Sequence, residues 1–66
     1  MSRYSVPEMS CGHCRAKIED ALLEADGGAE LDFDMDAREV NVDSVLETTE
    51  VLDTIKGAGF EAARLG

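Results

Sequence analysis

The stretch Leu31-Asp32-Phe33-Asp34-Met35-Asp36 alternates apolar and acidic residues without a break, and this alternation restricts the fold more than any other feature of the chain. Successive side chains of a strand point to opposite faces, so the pattern describes a half-buried strand whose outer face is wholly acidic. Val40 and Val42 resume the period after an Asp36-Ala37-Arg38 turn, which predicts an antiparallel hairpin over 30–36 and 39–43. One face of that hairpin needs an apolar cover and the other needs water. Helices therefore belong on one side of the sheet only.

The chain supplies two such helices. From Cys14 to Asp26 the residues are strong helix formers, with Ile18, Leu22 and Ala25 at i, i+4 and i+7 on one face and Gly27-Gly28 as the C-cap. The segment 44–57 reads as a second helix with Val51, Leu52 and Ile55 on its inner face. Ser44 with Glu47 gives a capping-box signal at its start, Thr48 and Thr49 are alternative caps, and Gly57 and Gly59 stop it. Tyr4 and Val6 alternate with polar residues over 2–7, a strand that Pro7 ends or places on a sheet edge, and Phe60 to Leu65 reads as an edge strand. The order is β-α-β-β-α-β. Two helices on a four-stranded antiparallel sheet make the ferredoxin-like α+β architecture, expected here as a single domain over 1–66.

Composition removes whole classes of function. Sixty-six residues leave no room for a second core or a large catalytic cleft. No Ser-His-Asp set, paired-carboxylate cleft or phosphate-cradling loop is visible, so the expectation is a non-enzyme. Fifteen acidic residues against six basic ones give a net charge of −9, which repels phosphate backbones and excludes nucleic acid as a partner. No apolar run approaches the roughly 18 residues of a membrane span, and the N-terminus lacks the apolar core of a secretory signal. A cytoplasmic protein without membrane insertion is expected.

Cys11 and Cys14 are three positions apart. A bridge between them would close a very small loop, remove little unfolded-state entropy and not persist in a reducing cytosol. The pair therefore reads as chemistry. It lies where a strand gives way to a helix, with Cys14 in the first helical turn and Cys11 in the loop before it. Unpaired N–H groups and the positive end of the helix favour thiolate there. Gly12 lets the loop bend so that the sulfurs converge, and two thiolates without a required third ligand suit a soft, low-coordinate cation, Cu(I) above all.

Met9-x-Cys11-x-x-Cys14 after a first strand, in this length and element order, resembles the heavy-metal-associated domain, and Met9-Ser10-Cys11-Gly12-His13-Cys14 is similar to the bacterial copper chaperones of the CopZ type. The resemblance spans the chain, including Ala58-Gly59-Phe60. It implies Cu(I) held by Cys11 and Cys14 and handed to a P-type ATPase metal-binding domain of the same fold, or to a copper-responsive regulator. It also implies that Met9 packs beneath the loop and that Phe60 covers the site, where many members carry Tyr. Arg15 stands where an apolar residue is frequent. Copper shared between two exposed loops would bridge a homodimer; otherwise the chain is expected to be a monomer.

Rival readings rest on the same residues. A Zn(II), Cd(II) or Hg(II) site of the same fold would recruit Glu8 or His13, yet zinc prefers four ligands. Cys-Gly-His-Cys is also a disulfide-isomerase tetrapeptide, but a thiol–disulfide oxidoreductase of that kind needs a larger chain and a proline opposite its cysteines, for which Pro7 is misplaced. Asp32-x-Asp34-x-Asp36 imitates an EF-hand opening, but Ala37 stands at the sixth position and Asp43 at the twelfth. It reads as a solvated strand face. His13 is expected to project outward, and Arg15 and Lys17 to be helix surface or an offset for the negative bis-thiolate site.

Overall fold

The computed structural model describes residues 2–10 and 12–66. Along them run β1 (Ser2–Ser5), α1 (Gly12–Ala25), β2 (Glu30–Asp34), β3 (Glu39–Asp43), α2 (Thr48–Gly57) and β4 (Ala63–Arg64). Among the described residues the strands form one antiparallel sheet in the order β2-β3-β1-β4. This is the predicted ferredoxin-like arrangement.

Register separates the two faces of the sheet. Phe33 and Tyr4 both lie opposite Val40, and Leu31 lies opposite Val42; these point toward the helices. Tyr4, Val6, Val40 and Val42 from the sheet, Ile18 and Leu22 from α1, and Val51 and Ile55 from α2 are buried together. Each such side chain contributes roughly 1.5–3 kcal/mol on leaving water. The opposite face carries Asp32 beside Asn41 and Arg3, with Arg3 Nε 3.4 Å from Glu39 Oε1. Asp32 and Asp34 are exposed on extended backbone, as a solvated strand face requires.

Several boundaries differ from the sequence expectation, each for a reason written in its hydrogen bonds. The second helix begins at Thr48 rather than 44. The N–H of Val45 goes to Asp26 Oδ2 (3.3 Å) and that of Leu46 to Ser44 Oγ (3.1 Å), so side chains hold these donors in a bend. Glu47 is the N-cap, and Glu50 Oε1 accepts its N–H at 3.5 Å. β2 stops at Asp34, whose Oδ1 accepts the N–H of Ala37 at 3.2 Å and opens the turn early. β1 proper ends at Ser5; the N–H of Val6 carries the same register one step further by donating to the Arg38 carbonyl at 2.8 Å, and Pro7, which has no N–H, ends the pairing.

The helix ends differ as well. Ala25 is exposed; the inner face of α1 instead runs Cys14, Ile18, Ala21 and Leu22, with Cys14 packed against the core. Neither Gly27 nor Gly28 takes a left-handed conformation, and Asp26 Oδ1 secures the exit by accepting the Gly28 N–H at 3.1 Å. At the end of α2, Gly59 does adopt φ 98°. The N–H of Gly59 bonds Lys56 O (2.9 Å) and that of Phe60 bonds Ile55 O (3.3 Å), the two bonds of a Schellman motif. β4 is only two residues long, although Leu65 and Gly66 continue to exchange backbone bonds with Arg3.

Candidate metal site

The candidate site is built on the segment between β1 and α1. Val6 is the last buried residue of the incoming strand, and Pro7 and Glu8 turn outward. The N–H of Met9 bonds Val6 O at 2.9 Å and that of Ser10 bonds Glu8 O at 2.9 Å, so the segment is a tight turn. That turn drives the Met9 side chain into the core, where it is 0% exposed. An unbranched thioether fills an irregular gap of this kind well. The segment is thus nailed to the interior two residues before Cys11.

Helix α1 takes over at Gly12. Cys14 falls in its first turn, as expected, and is half-buried on the face that Ile18 and Leu22 continue inward. His13 is exposed on the neighbouring position. Cys11, the other predicted ligand, lies outside the described residues, so its relation to Cys14 is not part of this geometry. The chemistry of the donor set nevertheless suits a soft cation: a thiol in the first turn, beside N–H groups that have no intrahelical acceptor.

Around this turn stand residues from three other elements. Phe60, set by the Schellman motif, packs half-buried against the core, and the N–H of the following Glu61 donates to Glu8 Oε1 at 3.3 Å. Glu8, a candidate zinc ligand in the sequence reading, thus has its carboxylate engaged with the α2–β4 loop. From the hairpin side, Arg38 Nη1 donates to the Pro7 carbonyl at 3.1 Å. Arg15 lies over the Phe33 ring, 5.0 Å from its centroid, and 3.8 Å from Glu19 Oε2. Its guanidinium, exposed on the helix surface as expected, also links α1 to β2. Arg38 and the Arg15–Phe33 contact are participants that the sequence reading missed; no local spacing signals either.

The comparisons with known proteins agree with this architecture. Residues 3–61 match the model of the heavy-metal-associated domain. The copper chaperone CopZ of Staphylococcus aureus is 33% identical over 60 residues, covering 86% of this chain and 88% of that protein. Among solved structures, the copper chaperone Atx1 from Synechocystis (its trimeric Cu1 form, a His61Tyr mutant) superposes with a TM-score of 0.90 at 24% identity, over 92% of this chain and 97% of that one. A copper-binding domain from the P-type ATPase HMA7 superposes with a TM-score of 0.86 at 24% identity, over 100% and 96% of the two chains. These two superpositions speak for the fold. The family match over residues 3–61 and the 33% identity over 60 residues make the protein a metal-carrying domain and not an enzyme: it belongs to the heavy-metal-associated domain family.

Proposed function

We propose that this chain is a cytoplasmic Cu(I) chaperone, that Cys11 and Cys14 hold one Cu(I) between their sulfurs, and that the copper is handed to a P-type ATPase metal-binding domain. The observation that carries the reading is the position of Cys14 in the first turn of α1, directly after a turn anchored by buried Met9. Support comes from the 33% identity to a protein named as a copper chaperone, and from the shared fold of a P-type ATPase copper-binding domain. Copper is cargo here. Two thiolates satisfy Cu(I), whereas zinc would need two further ligands. Glu8 is engaged with the Glu61 N–H and His13 faces solvent, which favours the copper reading over the zinc one.

Transfer follows from low coordination. A thiolate of the partner forms a bond to the copper, giving a three-coordinate intermediate. One Cys–Cu bond of this chain then breaks, and a second exchange of the same kind completes the handover. No electron is transferred, and each displaced thiolate is free to take a proton from water. The net charge of −9 predicts a comparatively basic docking face on the partner.

The experiment is anaerobic mixing of the Cu(I)-loaded chain with a metal-free P-type ATPase domain of this fold, followed by separation and metal analysis. Copper is expected on the acceptor. Cys11→Ser and Cys14→Ser variants are expected to lose tight Cu(I) binding and to deliver nothing. Near wild-type binding in either variant would refute the two-thiolate site, and retention of all copper by the wild-type chain would refute handover to such a domain.

A further inference from the structure

The turn that leads to the cysteines is held from both flanks by side chains remote in sequence. β1 lies between β3 and β4 in the sheet. From the β3 side, the hairpin turn presents Arg38, whose carbonyl accepts the Val6 N–H at 2.8 Å while its Nη1 donates to the Pro7 carbonyl at 3.1 Å. From the β4 side, the α2–β4 loop presents the Glu61 N–H to Glu8 Oε1 at 3.3 Å, across 53 positions of sequence. Pro7 and Glu8 are themselves exposed, so between buried Val6 and Met9 these bonds add to the turn's own in holding the backbone.

Arg38 carries a further sign of constraint. Its φ is +56°, a left-handed conformation that a side chain with a Cβ adopts at a cost. Backbone strain of this sort persists where the surroundings over-determine it, and here two hydrogen bonds to one dipeptide do so. Glycine would relieve the strain but would lack the guanidinium that reaches Pro7.

We infer that Arg38 and Glu8 are positioning residues for the metal loop: together they fix the Pro7–Glu8 backbone before metal arrives, so that little ordering remains to be done on binding. This rests on the proposed function in that the loop is taken to be the Cu(I) site. The physical consequence is general. Freedom removed in advance is not lost again on binding, and affinity rises accordingly. The net worth of one such hydrogen bond corresponds to roughly three- to tenfold in a binding constant.

The test has two parts, both on the full chain with reduced cysteines. On metal-free protein, amide exchange of Glu61 and 15N relaxation of Ser10, Gly12 and His13 are compared in wild type, Glu8→Ala, Glu8→Gln, Arg38→Ala and Arg38→Lys. The alanine variants are expected to loosen these three amides of the loop and the first turn of α1, Glu8→Ala is expected also to speed exchange at Glu61, and the conservative variants are expected to restore order. Anaerobic Cu(I) titration against a competing chelator should then show a loss of about three- to tenfold in affinity for each alanine variant, recovered largely by Gln and Lys. Unchanged loop relaxation in both alanine variants would overturn the inference, as would unchanged Cu(I) affinity despite loosened amides. A loss with no rescue by the conservative variants, accompanied by a lower melting temperature, would make the role merely structural and overturn it too. If the wild type takes up no Cu(I), the proposed function fails, whereas the relaxation measurements on metal-free protein still decide the positioning.

Discussion

The cysteine-bearing end of the molecule and the outer face of the β2–β3 hairpin are built on opposite terms. At the first, a fully buried Met9, a Schellman motif at Gly59 and long-range bonds from Arg38 and Glu8 converge on a few residues. At the second, the strands meet with like charges directly opposed: Glu30 faces Asp43, and Asp34 faces Glu39. Opposed carboxylates destabilise a strand pair, and Arg3 answers only Glu39 among these four. Long-range contacts converge on the turn before α1, while the sheet surface keeps an unsatisfied negative field. The site should therefore depend on packing, and the sheet on salt.

The contrast can be broken most severely at Met9. Met9→Ala is expected to cost about 2–5 kcal/mol of unfolding free energy by urea titration, because it leaves a cavity beneath the loop. Met9→Leu, close in volume, should cost less than about 1.5 kcal/mol. Next comes Gly59→Ala, which places a Cβ at φ 98°. An expected loss of about 1–2 kcal/mol, with a shifted Phe60 signal in NMR spectra, would confirm that the Schellman turn sets the loop beside the site. Arg15→Ala removes the guanidinium from the Phe33 ring and should cost about 0.5–1 kcal/mol. A larger loss would mean that the α1–β2 link carries more of the fold than a partly exposed cation–π contact accounts for.

The smallest effect belongs to the acidic face and has the opposite sign. Asp34→Asn retains an oxygen for the Ala37 N–H while removing one repelling charge. It should raise the melting temperature slightly at low ionic strength, with the gain fading as salt screens the pair. Asp43→Asn should do the same opposite Glu30. A fall in stability in both variants would contradict the claim that this face is electrostatically unsatisfied.

Periodicity made much of this architecture legible. Ile18, Leu22, Val51 and Ile55 follow the helical spacing and Val40 and Val42 the strand spacing, and all six are in the core. What escaped was non-local. The bend that delays α2 hangs on Asp26, nineteen positions before Val45, and the helix then starts at the Glu47–Glu50 capping box, so a cap read at Ser44 places it too early. Arg38 reveals neither its left-handed backbone nor its bond to Pro7, because both depend on where β1 lies relative to the hairpin. At the site, the helix start and the inward turn of Cys14 were legible from the Cys-x-x-Cys spacing before a helix-forming run. The burial of Met9 came from family resemblance, since a single methionine in a loop has no period.

The central claim is a two-thiolate Cu(I) site, and its most direct test is anaerobic titration of the fully reduced chain with Cu(I) against a competing chelator, with Zn(II) run in parallel. The account predicts one tightly held Cu(I) per chain and zinc weaker by orders of magnitude, as two thiolates without further ligands require. Zinc binding as tight as copper binding would contradict it, and would make Glu8 and His13 the next residues to replace.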